Sequence, residues 1–477
     1  MRKCATIVLF LFLINTAPTS FAHVGDRPSV HDTVANILQR FRQELTHEQV
    51  KTLNKQTALE LLRPEERKVL SSGFLTFNLS QPATVFIACG AGDRAPFWLP
   101  EQGFSRSALT LTTPDDGAYE IWQKDVAAGN VGLGVNSIDG GGKHYLVFVK
   151  SRGKKAAKIK NVYPGQHKVV PARAGERYYA DDDGVLEVLP PEIAGALMIQ
   201  TLRANRDVAK LTGELVVTRY PSTPEPDQIV LSWEGDPRTT QTITWRTDTT
   251  IANAFVIYQP KEDYTFFYRK EPAKLKASTM KLKTDDLVND RSVNRHSATL
   301  QDLRPNSTYV YSVGDSGGNY WSALSEFTTA PDKVTPFSFM YLGDAQNGLD
   351  RWGTLMQSAY RQRPDMAFVL MAGDLVNRGA KRDDWDDLFY NGSPVFAKKP
   401  LMPAIGNHEC QGGHPTLYLS LFHLPTNGPQ FVEPERAYSF EYSNALFVVL
   451  DSNEDAQKQA PWLDAQLTNS KAVWKFV

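Results

Sequence analysis

Three short polar clusters, GDAQ at 343–346, GDLVNRG at 373–379 and GNHE at 406–409, hold the residues of this 477-residue chain best suited to chemistry. They offer two carboxylates (Asp344 and Asp374), two side-chain amides (Gln346 and Asn407) and the imidazole of His408. Hard and borderline divalent cations take such oxygen and nitrogen donors. Two cations held ~3.5–4 Å apart can share one carboxylate, activate a water and neutralise charge on the attacking and leaving oxygens of a phosphate ester. That chemistry is phosphoester hydrolysis.

Each cluster must be delivered by an element. The runs FSFMYL, AFVLMA and PLMPAI precede the three clusters and read as buried strands, each stopping abruptly at an Asp or Asn. Asp344, Asp374 and Asn407 follow one another at intervals of roughly 30 residues, close to one βαβ unit. Parallel strands bring their carboxyl ends to one sheet edge, so the three clusters are expected to meet there. Trp352, Leu355, Met356, Ala359 and Tyr360 recur at helical spacing between the first two strands, and Asp383, Trp385 and Leu388 open a second crossover helix. Glu409 is read as a strand-end carboxylate without a chemical role.

In order and spacing, GDAQ, GDLVNRG and GNHE resemble the first three signatures of the calcineurin-like metallophosphoesterases. The resemblance implies that Asp344 ligates one metal, that Asp374 bridges two, that Asn407 ligates the other, and that His408 stabilises or protonates the leaving oxygen. Gln346 stands where the family more often has His and becomes a weaker candidate ligand. Arg378 matches a position that contacts phosphate in some members, a role suited to a guanidinium fork. The stretches DPRTTQTITWRTD, LQDLRPNSTYVYSVGD and WSALSEFTTAP are similar to the N-terminal domain of purple acid phosphatases. Those enzymes carry a metal-binding Tyr where this chain has Asn377, so the resemblance implies two divalent or mixed-valence ions (Fe, Zn or Mn) without the purple chromophore. A later His ligand and a GHxH pair of the family have no counterpart before Val477. The expected catalytic domain, 336–477, is therefore incomplete at its C-terminus, and neither His414 nor His423 is expected to substitute.

The rest of the chain divides by pattern. Arg2 and Lys3, an apolar run, then Ser20 and Ala22 read as an export signal over 1–22. A helical arm follows over 23–72, with an apolar stripe of Val34, Ile37, Leu38, Phe41 and Leu45, a capping box at Thr46 and Gln49, and Pro64 opening a last helix. Short alternating runs from FLTFNLS to GELVVTRY predict a β-sandwich over 73–220. Its aromatics Phe97, Trp98, Tyr119 and Trp122 suit either a buried core or a carbohydrate contact. After the linker PSTPEPDQ, six or seven strands over 224–331 predict a fibronectin type III or immunoglobulin-like sandwich. The expected fold class is multidomain: two β-sandwich domains followed by an α/β metallophosphoesterase domain. Within the latter, YSFEY and LFVVLDS are expected to extend the catalytic sheet as a hairpin.

Composition narrows the partners. A formal charge of −1 and a pI near 6.8 give no basic surplus for a nucleic-acid backbone. No later run of ~18 apolar residues predicts a membrane span. Cys89 and Cys410, expected in different domains, are read as free thiols. The chain thus reads as a secreted or periplasmic phosphomonoesterase acting on a phosphate ester. Two other readings stay open: a phosphodiesterase using the same metal core, and an inactive member whose sandwiches bind carbohydrate or another surface.

Overall fold

The computed structural model describes residues 29–153, 155–264, 271–315, 317 and 320–477. The expected export signal and Cys4 lie outside them, as does Lys154 of the basic run after Arg152. The described residues fall into two compact units, one within Met1–Leu45 and Thr52–Glu214, the other comprising Thr46–Lys51 and Leu215–Val477.

In the first unit, the helix Val30–Glu44 begins where the Ser29 hydroxyl accepts the Asp32 N–H at 3.0 Å, and it buries Val30, Ile37 and Phe41. The helix Pro64–Ser72 carries Pro at its start, where the missing N–H costs nothing. Arg40 joins the two through Glu66, at 2.7 Å. Two antiparallel sheets follow. One has the order Gly129–Leu133, Leu75–Leu79, Ile159–Tyr163; the other runs Ser105–Thr113, Gly117–Val126, Ala83–Gly90, Leu146–Ser151, Leu197–Gln200, Lys168–Pro171. Phe86, Tyr119, Ile121, Phe148 and Met198 form part of one core.

One alternative is decided for two of the aromatics, and one expectation changes. Trp98 and Tyr119 are fully buried, and the Trp98 indole N–H donates to the Val135 carbonyl at 2.8 Å, so these rings stabilise the interior and present no carbohydrate face. GELVVTRY is a loop rather than a strand: its first residue, Gly213, turns the chain at φ +73°, Pro221 follows it, and Val216 makes an isolated bridge to Leu287. Cys89 and Cys410 are both free thiols.

The second unit opens with a sandwich. One sheet has the order Asp227–Ser232, Gln241–Asp248, Ser292–Leu300, Ser278–Lys283. In the other, Phe255–Pro260 lies between Ala273–Lys276 and Thr308–Asp315, and the latter also pairs with Tyr320–Trp321 and Ser325–Thr328. The expectation of six or seven strands missed the edge strands AKLK and STMKLK. Lysines on an edge block further pairing and also break the apolar alternation by which strands are recognised.

The α/β domain follows, with elements labelled here in its own order. Strands β1 (Met340–Leu342), β2 (Val369–Ala372) and β3 (Leu401–Ala404) form a parallel sheet, crossed by helices α1 (Leu349–Gln362) and α2 (Arg382–Phe396). Helix α3 (Thr416–Leu421) leads to β4 (Tyr438–Tyr442) and β5 (Ala445–Val449), and α4 (Ala456–Asn469) to β6 (Trp474–Phe476). The β4–β5 hairpin turns at Ser443-Asn444 as expected, but it belongs with β6 to a second three-stranded sheet. The two sheets pack through Phe339, Phe368, Phe440 and Phe447, with Phe368 edge-on to Phe447 at 5.2 Å. Local alternation marks a strand's buried face but carries no address for the sheet it joins.

A buried ionic network locks the second sandwich onto α2. The Arg246 guanidinium donates to Asp227 at 2.8 Å and lies 3.0 Å from Asp386 on α2. Arg382, also on α2, reaches back to Asp290 at 2.7 Å. Gln228 donates to Asp386 at 2.7 Å and accepts from Arg295 at 3.0 Å. Arg246, Arg382, Asp290 and Asp386 are out of water and depend on one another, while Asp227 keeps contact with solvent. Arg246→Met is expected to take from Asp386 one of its two guanidinium partners, leaving Arg382 and Gln228, and to lower stability by about 3–5 kcal/mol, read by urea denaturation.

The first unit carries a pH dependence of its own. Burial holds the His144 imidazole down at about 3, below its usual 6.5, and leaves Nε2 without a hydrogen-bond partner. An unfolded chain binds a proton from about pH 6.5 downward while the buried ring refuses one. This contribution is complete above pH 6.5 and is lost as pH falls toward 3. His144→Phe is expected to flatten that loss in denaturation curves collected from pH 7 to 4.

Candidate active site

The parallel register aligns the strand ends, with Leu342 opposite Met371 and Ala372 opposite Ala404. Asp344 and Asp374 each follow two residues past a strand end, and Asn407 three past another, so all three clusters emerge at one edge. Backbone hydrogen bonds join the tips: Asp344 N–H donates to the Gly373 carbonyl at 3.3 Å and Gln346 N–H to the Asp374 carbonyl at 3.1 Å. From the third tip, His408 N–H donates to Asp374 Oδ1 at 3.2 Å. Asp374 is the residue on which all three tips converge.

The backbone is forced into this arrangement. Asp344 and Asp374 hold φ of +51° and +50°, a left-handed region that L-residues seldom occupy and that concentrates at functional sites. Gly406 lies so close that a Cβ there would fall 2.1 Å from Asp374 Oδ1. Glycine is the residue that admits the carboxylate.

Glu409 holds the loops in place. Its Oε2 accepts the N–H groups of Asp374 at 3.0 Å and Gly406 at 2.8 Å, and its Oε1 those of Leu375 at 2.9 Å and Val376 at 3.2 Å. The side chain is buried, and burial pushes its carboxyl up from the usual range while the N–H groups oppose that shift. Its role is structural, and it is larger than the sequence suggested.

His408 Nδ1 lies 2.7 Å from the Asn377 carbonyl and 2.9 Å from Gln411 Nε2; since a carbonyl can only accept, the Asn377 contact is a hydrogen bond when Nδ1 carries the hydrogen and the Gln411 amide turns its oxygen to the ring. That contact turns Nε2 toward Asp374 Oδ2, 3.8 Å away. Gln346 Nε2 donates to the same Oδ2 at 3.4 Å, while its Oε1 is buried without a partner. A half-turn of the amide exchanges the two atoms and presents an oxygen to that point. Among the described residues no group of three or more His, Cys, Asp or Glu side chains is placed to hold a metal. The donors at this edge are instead carboxylate, amide oxygen and one imidazole. With the orphaned Gln346 oxygen, this donor chemistry fits a hard or borderline divalent cation beside Asp374.

Asp344 and Asn407 are exposed at the rim. Arg378 is gripped by Asp384 of α2, with Nε at 3.2 Å and Nη2 at 2.6 Å. Its fork thus already faces a carboxylate, a partner that sequence spacing did not announce. His414 pairs with Glu433 at 2.8 Å, and His423 is largely buried, its imidazole held below the usual value by that burial. Neither joins the three tips. A cleft of about 610 Å³ opens beside Gln346, Asn377 and Arg378. Its far wall is a stacked pair, Tyr220 and Tyr390, whose centroids are 4.6 Å apart. Sequence reasoning missed this pair, since 170 positions separate the two rings.

Glu409→Ala would leave four N–H groups without an acceptor. A loss of about 3–5 kcal/mol is expected by urea denaturation, and Glu409→Gln, which keeps one acceptor oxygen, should recover part of it.

Residues 226–329 match the family model of the purple acid phosphatase N-terminal domain, and residues 337–459 that of the calcineurin-like phosphoesterases. An uncharacterized protein of Mycobacterium tuberculosis is 25% identical over 223 residues, covering 39% of this chain and 41% of that protein. Purple acid phosphatase 22 of Arabidopsis thaliana is 28% identical over 181 residues, covering 36% of this chain and 39% of that protein. The matched regions thus span about two fifths of the length of these relatives. Among solved structures, purple acid phosphatase PPD1 from yellow lupin (Lupinus luteus) seeds aligns with a TM-score of 0.43 and 15% identity, over 82% of this chain and 66% of that one. The chain thus carries a region similar to a purple acid phosphatase N-terminal domain directly ahead of one similar to the calcineurin-like phosphoesterases.

Proposed function

We propose that the chain is an exported, metal-dependent phosphoesterase that hydrolyses phosphate monoesters. The observation that carries this reading is the convergence of three strand tips on the Asp374 carboxylate, with His408 Nε2 3.8 Å away. Asp374, Asp344, Asn407 and the Gln346 oxygen are the residues to hold two divalent ions such as Fe, Zn or Mn. Such ions supply charge neutralisation at the phosphoryl oxygens and acidify water. Asp374 is held in place by the His408 N–H at Oδ1, which leaves Oδ2 for the cation side.

His408 serves the leaving oxygen. Its Nδ1–H is anchored on the Asn377 carbonyl, so the ring cannot swing away, and Nε2 is the atom that hands a proton to the departing alkoxide. Water adds to phosphorus and releases its proton to solvent, the P–O ester bond breaks, and the alcohol leaves with the proton that Nε2 carries in the imidazolium form of the ring, which solvent then re-protonates. Arg378 steadies a phosphoryl oxygen only as Asp384 yields part of its grip. A diester would use the same groups, and comparing p-nitrophenyl phosphate with bis-p-nitrophenyl phosphate separates the two classes.

Among the described residues no helix is long and apolar enough to cross a membrane. The basic, then apolar, then small-residue pattern over 1–22 supports export. A binding role without turnover is the second reading, favoured by the absence, among the described residues, of any three converging His, Cys, Asp or Glu side chains. Metal analysis of the purified chain with p-nitrophenyl phosphate turnover distinguishes them. Asp374→Asn is expected to lower turnover about a hundredfold or more and to reduce retained metal. Turnover and metal content close to wild type would overturn the assignment.

A further inference from the structure

The 610 Å³ cleft beside Gln346, Asn377 and Arg378 has a composition that the hydrolytic chemistry does not require. Its far wall is layered. The Arg219 guanidinium lies over one face of Tyr220 at 5.4 Å, and Tyr390 stacks on Tyr220 with an interplanar angle of 29°. Tyr220 is fixed in this stack by its hydroxyl, which donates to Asp387 at 2.7 Å. Tyr390 is 65% exposed, so the stack ends on an open ring surface facing solvent. Tyr220 thus already holds a cation against its ring.

Charge points the same way. The cleft lining holds two arginines and four aspartates. Arg378 is committed to Asp384 at 2.6 Å, and Arg219 lies 3.6 Å from Asp387. Asp350 remains as the negative excess; Asp383 Oδ1 is buried with no hydrogen-bond partner, and that burial pushes its carboxyl up toward the neutral form. A second phosphate or carboxylate would be repelled here, whereas an ammonium group on an aromatic face beside carboxylates is favoured.

Resting on the phosphoesterase reading, we propose that this cleft receives the leaving group of the ester and selects one bearing a positive charge, an amino or quaternary ammonium alcohol, seated on Tyr390. The phosphoryl end lies toward Gln346 and Arg378, and the cation toward the tyrosine stack.

The test compares phosphocholine with its uncharged isostere, 3,3-dimethylbutyl phosphate, by calorimetric titration of the full chain and by kcat/KM, with choline alone as a third titrant. The charged ester is expected to bind and react about tenfold better than the isostere. Tyr390→Ala should collapse that preference to within about twofold, while Tyr390→Phe, which keeps the ring, should retain it. Equal binding and hydrolysis of both esters by the wild type would overturn the cleft assignment and leave the hydrolase reading standing. Choline binding that depends on Tyr390, with neither ester hydrolysed, would support the cleft and count against the hydrolase. No binding of choline or of either ester would overturn the cleft.

Discussion

One carboxylate organises the loops from which the candidate active site is built. Glu409 gathers four backbone N–H groups, three from the loop after β2 and one from the loop after β3. Those N–H groups would otherwise be buried without acceptors, since the tight loops give them no ladder partner. With them satisfied, Asp374 can hold a left-handed backbone and Gly406 can lie against its carboxylate. The position of Asp374, and through it the geometry offered to a cation, follows from a residue that makes no catalytic contact itself.

A second constraint acts from the sandwich that precedes the α/β domain. Arg246 and Asp290 lie on the sandwich side, Asp386 and Arg382 on α2, and the four charges interlock. Helix α2 also carries Asp384, which orients Arg378, and Tyr390, which closes the cleft wall with Tyr220. The sandwich therefore sets the helix whose first turns border the candidate site. Removing either domain would expose unpaired charges, and the two also share a continuous apolar core containing Trp233 and Phe368.

The donor set has a chemical character of its own. An imidazole held through Nδ1 is committed to act at Nε2, and amides at 346 and 407 supply neutral oxygen rather than nitrogen. Neutral amides balance less cationic charge than thiolates or carboxylates, so in the proposed site the Asp344 and Asp374 carboxylates would bear the greater share of it. The missing tyrosine at position 377 is replaced by a backbone role, the Asn377 carbonyl that anchors His408.

Much of this was legible in the primary structure. Apolar runs ending in Asp or Asn, repeated at the length of a βαβ unit, demanded parallel strands, and parallel strands demanded that GDAQ, GDLVNRG and GNHE share an edge. What the linear pattern could not contain was every relation between distant side chains. That Glu409 caps four amides, that Asp384 holds Arg378, that the β4–β5 hairpin joins a separate sheet, and that Tyr220 and Tyr390 stack are all outcomes of packing. Local periodicity reports which face of an element is apolar, whereas partner choice depends on three-dimensional proximity that only the assembled core imposes.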